Sequence, residues 1–292
     1  MTILVTGSTG TIGTHLINHL AGEGVAIHAL TRDPNKAKFP DGVVPVRGDM
    51  LDVEAMRNAL SEVTTLFLLN AVTPQELSEA LLTLNLAREA GIQRVVYFSV
   101  FNGQSFTSVP HFAAKYSVEQ MIEQYDIPAT ILRPNCFMQN DALFFKDALL
   151  GAGIYPFPIG EKGVSMVDAR DVAQVAARAL VDRERATDPL PHQIINVVGP
   201  QALTGTSIAA IWSELLGKTV KYAGDDTSPL EKQIGQHAPG WMAMDLRLML
   251  DRFVQDGMRA TSSDVAEMAR LLGRPPRSYA EFAAEAIAQW RS

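Results

Sequence analysis

Three glycines, Gly7, Gly10 and Gly13, stand between an apolar run, "TILVT" at 2–6, and an amphipathic stretch that begins at Thr11. Glycine at those places does three separate jobs. The chain must turn tightly, its backbone must come close to a bound group, and the following helix must press on the preceding strand. The start of that helix offers unspent N–H groups and a partial positive charge, which suit a diphosphate. The spacing therefore predicts a dinucleotide site, with Thr9, Thr11 and Ile12 completing the loop. Further along stand Ser99, His111 and Lys115. His111 and Lys115 are separated by about one helical turn and share a face if that segment is helical. An imidazole there can donate a proton to a substrate oxygen or hydrogen-bond it.

These residues need elements to hold them. Short apolar runs, "TILVT" (2–6), "VAIHAL" (25–30), "VVPVRG" (43–48), "TTLFLL" (64–69), "RVVYFS" (94–99) and "ATILRP" (129–134), alternate with amphipathic stretches. That alternation predicts an α/β fold, a doubly wound parallel sheet with helices on both faces. Ile12, Leu16, Ile17 and Leu20 recur at helical spacing until Gly22 and Gly24 stop the helix, and Gly91 closes "PQELSEALLTLNLAREAG". After Gly151 the chain becomes rich in proline and glycine, and Asp168 then opens a helix. The expected organisation is a dinucleotide-binding domain over 1–150 and a smaller substrate lobe over 151–292, with a strand near 192–199 rejoining the sheet.

The end of the second strand sits beside the adenosine ribose in such folds, where an acid binds the 2′-hydroxyl and a base pairs with a 2′-phosphate. Arg32 comes first in "TRDPNK", with Lys36 a turn later, which points to NADP(H) in preference to NAD(H). Asp33 can serve the ribose of NAD or cap the next turn. Asp49 stands where adenine contacts arise, and Asn70 where the ribose or pyrophosphate lies. Both residue types also build turns and caps, and the two readings stay open.

Bulk properties exclude several classes. The 292 residues are 47% hydrophobic and carry a formal charge of −7, with no block of Lys or Arg to bind a phosphate backbone. Cys136 stands alone, so no internal disulfide and no structural zinc cluster is expected. With six residues before Gly7 and no apolar run near the length of a membrane span, a cytoplasmic monomer or homodimer with a small-molecule substrate is expected.

Gly7, Gly10, Gly13, Arg32, Asp49, Ser99, Lys115, "PATILRPNCFMQN", "VDARDVAQVAARAL" and the late "LLGRPPRSYAEFAAE" together resemble the atypical short-chain dehydrogenase/reductase superfamily, in its NmrA-like branch. The resemblance spans nearly the whole chain. It implies a Rossmann-like fold and NADP(H). The branch is similar to quinone, triphenylmethane, azo-dye and isoflavone-type reductases, and to proteins that bind NADP without turnover. In the wider superfamily Ser, Tyr and Lys act together on substrate and cofactor ribose. Here Ser99 and Lys115 match, and His111 stands in place of Tyr, while Tyr116 lies on another face of the helix. The stretch from Lys115 through Glu123 to "IPATILRPN" also resembles the isoflavone-reductase pattern, which implies a catalytic Lys115.

Phe101, Phe112, Phe137, Met138, Phe144 and Phe145 fall in segments expected beyond the strand ends, where such sheets bind ligands, and Trp241, Met242 and Met244 could close a pocket from the second lobe. The substrate-contacting set expected from these is Phe101, Phe137, Met138 and Trp241. The function expected is NADPH-dependent hydride transfer to an apolar conjugated molecule such as a quinone, dye, imine or enone. The alternative is an NADP(H)-sensing regulatory protein. An epimerase ranks below both because it relies on the missing Tyr.

Overall fold

Each of the six apolar runs forms a strand within about two residues of its expected limits. The computed structural model describes residues 1–291. The strands are β1 (Thr2–Val5), β2 (Ala26–Thr31), β3 (Val43–Arg47), β4 (Thr65–Leu68), β5 (Val95–Phe98) and β6 (Ala129–Pro134). The short β7 (Ile154–Tyr155) pairs with β9 (Lys221–Tyr222), and β8 (Gln193–Val197) extends the main sheet. That sheet runs β3-β2-β1-β4-β5-β6-β8, and the pairs from β3 through β6 are parallel.

The helices that follow are α1 (Thr11–Leu20), α2 (Val53–Leu60), α3 (Glu76–Glu89), α4 (Pro110–Gln124), α5 (Gln139–Phe144) and α6 (Ala169–Arg185). The remaining ones are α7 (Gly205–Leu216), α8 (Ser228–Gly235), α9 (Gly240–Asp256), α10 (Ser262–Leu272) and α11 (Tyr279–Arg291). None of the described helices is long and apolar enough to cross a membrane.

Strand residues alternate between the two faces of the sheet. Leu4, Leu66, Leu68, Val95 and Tyr97 join one core with Met56 and Leu60 of α2, Leu84 of α3 and Ile122 of α4. The intervening Ile3, Val5, Phe67 and Val96 are equally buried on the other face, where α1 packs on α6. Because the order reverses between β1 and β4, their carboxyl ends diverge there and leave the crevice in which open α/β sheets take ligands.

The chain resolves into two compact units that are not consecutive stretches. The first holds Met1–Gly103, His111–Arg133 and Ala169–Ile195, and the second holds Gln104–Pro110, Pro134–Asp168 and Asn196–Ser292. Thus α6, which follows the Gly-rich link, belongs with the dinucleotide half. It is fastened at the amino ends of the strands by two buried charges. Arg183 donates to Thr130 Oγ1 at 2.7 Å and to the carbonyls of Pro128, Leu190 and Pro191. Glu184 accepts from Thr64 at 2.7 Å and from Thr65. Each charge meets several partners, which is what a buried ion requires.

In the second unit the fully buried Asp141 of α5 accepts from Tyr155 at 2.9 Å and from Tyr279 at 2.5 Å. Tyr279 in turn accepts from the Trp212 indole at 2.9 Å, and Trp212 stacks on Trp290. This set ties α5, α7 and α11 together. Burial raises the Asp141 carboxyl from 3.8 to about 7, and the two tyrosine hydroxyls only partly counter it. The folded pKa lies above the unfolded one, so the protonated group favours folding below about pH 4 and that advantage disappears as pH rises to about 7. Asp141→Asn has no proton to lose. Its stability relative to the parent should rise from pH 5 to pH 7 with a slope of at most about 1.4 kcal/mol per pH unit. Urea unfolding at a series of pH values measures this, and a flat difference would remove Asp141 as a titrating group in that range.

Candidate dinucleotide site

The loop after β1 is held from both sides by hydroxyls. Thr6 Oγ1 donates to the Leu69 carbonyl at 2.7 Å and accepts from the Leu69 N–H at 2.8 Å, which fixes the end of β1 to the end of β4. Ser8 Oγ donates to the Leu30 carbonyl at 2.6 Å and fixes the loop to β2. Between them Gly7 takes φ +60°, a left-handed conformation that costs a glycine little.

The three glycines have different surroundings. A Cβ on Gly13 would stand 2.2 Å from the Gly7 carbonyl oxygen and 2.8 Å from Ser8 backbone carbon, so Gly13 is where α1 presses on the turn. A Cβ on Gly10 would meet nothing closer than the Gly7 oxygen at 3.4 Å. Gly10 is the N-cap of α1 and carries no side-chain cap, and the first turn contains no acidic residue. Thr9, Gly10 and Thr11 are exposed, whereas the Ile12 side chain is buried and leaves only its backbone to face a ligand. An uncapped helix start with no carboxylate beside it fits a bound diphosphate.

Beside this loop, Arg32 follows β2 and is exposed. It borders a concavity of about 520 Å³ together with Arg47, Asp49 and Asp52. Arg47 supplies a second guanidinium there. Asp33 turns inward on its own loop, accepting from the Asn35 N–H at 3.2 Å and pairing with Lys36 at 3.2 Å. Asp49 Oδ1 accepts from the Leu51 N–H at 3.0 Å, so it builds the turn into α2.

At the carboxyl ends of β4 and β5 the polar groups are buried. Asn70 donates to the Glu76 carbonyl at 2.8 Å and to Glu79 Oε2 at 3.2 Å, which fastens the start of α3. Lys115 projects from the buried face of α4, and its Nζ lies 2.8 Å from Glu76 Oε1 as an ion pair. Tyr97 donates to the Lys115 carbonyl at 3.4 Å. Asn70 Oδ1 and both Glu76 carboxylate oxygens are buried without a hydrogen-bond donor, the Lys115 contact to Oε1 being an ion pair. Ser99 donates its hydroxyl to Glu119, which also receives Arg133 through two nitrogens, at 3.0 and 2.5 Å. The Ser99 proton is therefore spent inside the first unit. His111 stands partly exposed at the start of α4, its ring set edgewise 4.7 Å from that of Phe112.

The structure thus gathers Gly7, Gly10, Gly13, Arg32, Asp49, Asn70, Ser99 and Lys115 along one edge of the first unit's sheet, each after or facing a strand's carboxyl end. Phe101 is buried in the same unit. In the second unit Met138 is fully buried in the core, Phe137 is partly buried beside Val167, and Trp241 is exposed on α9. Desolvation and then the Asp141 charge push the Cys136 thiol up, the reverse of what a nucleophile needs. Sequence reasoning missed Thr6, Ser8, Arg47, Glu76, Glu119 and Arg133. Phe112, Lys115, Glu119 and Ile122 follow helical spacing, and that signal alone would have turned Glu119 inward with Lys115.

A Rossmann-like sheet with this loop defines a dinucleotide-binding protein class. The model of the NmrA-like family matches residues 1–282, and the chain belongs to that family. It is 28% identical over 284 residues to an NAD(P)H azoreductase of Xenophilus azovorans, covering 96% of each chain. Its fold matches that of an NADPH-dependent quinone oxidoreductase of Escherichia coli complexed with NADPH, with TM-score 0.85, 23% identity and 98% and 99% coverage. The fold also matches NmrA, a negative transcriptional regulator, with TM-score 0.79, 19% identity and 99% and 96% coverage.

The two glycine environments separate fold from binding. Gly13→Ala must move backbone and should cost about 1–3 kcal/mol or more. Gly10→Ala replaces one uncapped N-cap by another and should cost less than about 1 kcal/mol. Equal losses in chemical denaturation would contradict the assignment of the close approach to Gly13.

Proposed function

We propose that the protein is an NAD(P)H-dependent oxidoreductase that prefers NADPH and reduces an apolar conjugated acceptor such as a quinone or an azo dye. The observation that carries this reading is the polar set at the ends of β4 and α3. Asn70 Oδ1 is a buried acceptor without a donor, and the Lys115 ammonium, paired with the Glu76 carboxylate, carries three N–H groups. A ribose diol supplies donors and acceptors together, so the donor set fits the sugar of a dinucleotide. The uncapped start of α1 fits its diphosphate. Arg32 and Arg47 at the rim of the neighbouring concavity fit a 2′-phosphate. A full-length relative described as an azoreductase supports the reaction class.

Bound NADPH would supply a hydride from its nicotinamide. The residues of this chain hold and place it: the Gly10 loop binds the diphosphate, Arg32 the 2′-phosphate and Lys115 the ribose. His111, one turn before Lys115 on α4, is the proton donor that a ketone or imine would call on. Quinones draw that proton from water and need it less.

A second reading, an NADP(H) sensor without turnover, is favoured by one observation: Ser99 is committed to Glu119 and the tyrosine of the wider superfamily is replaced by His111.

NADPH should bind roughly tenfold to a hundredfold more tightly than NADH, the worth of one charge-assisted contact, and Arg32→Ala should remove most of that preference. Calorimetric titration of both cofactors decides it. Equal affinities in the parent protein would defeat the assignment of Arg32.

His111→Phe should barely slow quinone reduction but slow imine reduction by about a hundredfold in single-turnover measurements at saturating NADPH. Equal losses with both would give His111 a shaping role. Tight NADPH binding with no oxidation by any quinone, dye or imine would put the sensor reading first.

A further inference from the structure

Lys115 and Glu76 form an ion pair with both side chains almost out of water, at 8% and 4% exposure. Such a pair is weak evidence of stability, because desolvating two charges offsets most of their attraction. Its geometry instead says what the carboxylate does. Glu76 is itself fixed from behind: its N–H donates to the Thr73 carbonyl at 3.1 Å, and its carbonyl accepts from Asn70 at 2.8 Å. A residue so held offers its carboxylate at one place. The lysine stem, which has four rotatable bonds and would otherwise sample many positions, is held at its tip by that carboxylate. Resting on the reading of Lys115 as a ribose ligand, we propose that Glu76 is the positioning residue for Lys115, holding the ammonium so that its remaining N–H groups meet the nicotinamide-side ribose.

This role reaches only the half of the cofactor that Lys115 touches. It therefore predicts a contrast between two ligands, NADPH and 2′,5′-ADP, which carries the adenosine and both its phosphates but no second ribose. The parent protein should bind NADPH more tightly than 2′,5′-ADP. Glu76→Gln should leave 2′,5′-ADP affinity unchanged and weaken NADPH roughly tenfold, about what a lost charge-assisted hydrogen bond costs. A general loosening of the fold would weaken both ligands alike.

Removing one partner of a buried pair can also prevent folding. Glu76→Asp covers that case, since it keeps the charge and draws the carboxylate back by one methylene. It should fold, bind 2′,5′-ADP as the parent does, and lose part of the NADPH advantage. Titration calorimetry with both ligands, with circular dichroism to verify the fold, gives the answer. Parental NADPH affinity in either folded variant would overturn the role of Glu76 while leaving Lys115 in place. Equal affinity of the parent protein for NADPH and 2′,5′-ADP would overturn it together with the reading of Lys115.

Discussion

The approach of α1 to the Gly7 turn is the constraint on which the first unit depends. With 2.2 Å between the Gly7 oxygen and any Cβ at Gly13, the helix can start only where hydrogen alone stands in the gap. The Gly10 N–H is itself spent on the Gly7 carbonyl at 3.1 Å, and the contact sets where the first N–H groups of α1 point. The Thr6 and Ser8 hydroxyls then lock the same turn to β4 and β2, the strands flanking β1. A turn tied to both neighbours cannot follow a ligand, so the ligand must fit the turn. Preorganisation of this kind lowers the ordering cost of binding.

Buried charge is placed at both edges of the sheet, and its surroundings differ between them. At the amino edge, Arg183 and Glu184 meet hydroxyls and carbonyls of β4, β6 and the following loop, and their donors and acceptors are met within the unit. That is a fastening for α6. At the carboxyl edge, Lys115 and Glu76 meet each other, while Glu76 Oε2 and Asn70 Oδ1 remain without donors. Buried acceptors without donors cost free energy, and proteins retain them where something else completes the set. The amino edge also holds one open donor, Arg94 Nε, so it is the clustering of open acceptors beside the Lys115 ammonium that the proposed reading uses.

Much of the site was legible because its signals are local. Glycine spacing, an apolar run before it and an amphipathic run after it lie within about twenty residues, and each follows from backbone geometry alone. The place of Arg32 directly after β2 was legible for the same reason. The partners of Lys115 and Ser99 were not. Glu76 comes from the start of α3, and Glu119 is brought to Ser99 by α4 and to Arg133 by the pairing of β5 with β6. Such meetings depend on which strands are neighbours and on their register, which no single window of sequence states. The Asp141 network is the extreme case, since one of its tyrosines lies 138 residues away. The discontinuity of the two units has the same origin, because α6 returns to the sheet after the chain has already left it.

The fate of the three superfamily positions bears on reaction class. Position 115 keeps its lysine and position 99 its serine, but the serine proton is committed to Glu119, and position 111 carries an imidazole. The groups that would hold a dinucleotide are thus retained, while those that would polarise a substrate carbonyl are altered or occupied. Reduction of a ketone needs both parts, because an alkoxide formed without a donor is costly. Reduction of a conjugated acceptor needs chiefly the first, since the incoming charge spreads over the acceptor and water can supply the proton. Under the proposed reading, an anchored ribose with a weakly assisted acceptor is a consistent design, and the burden of rate falls on positioning, a contribution that can reach several kcal/mol. Under that reading Glu76 bears more weight than a residue remote from the glycine loop ordinarily would, because it narrows the positions open to the Lys115 ammonium.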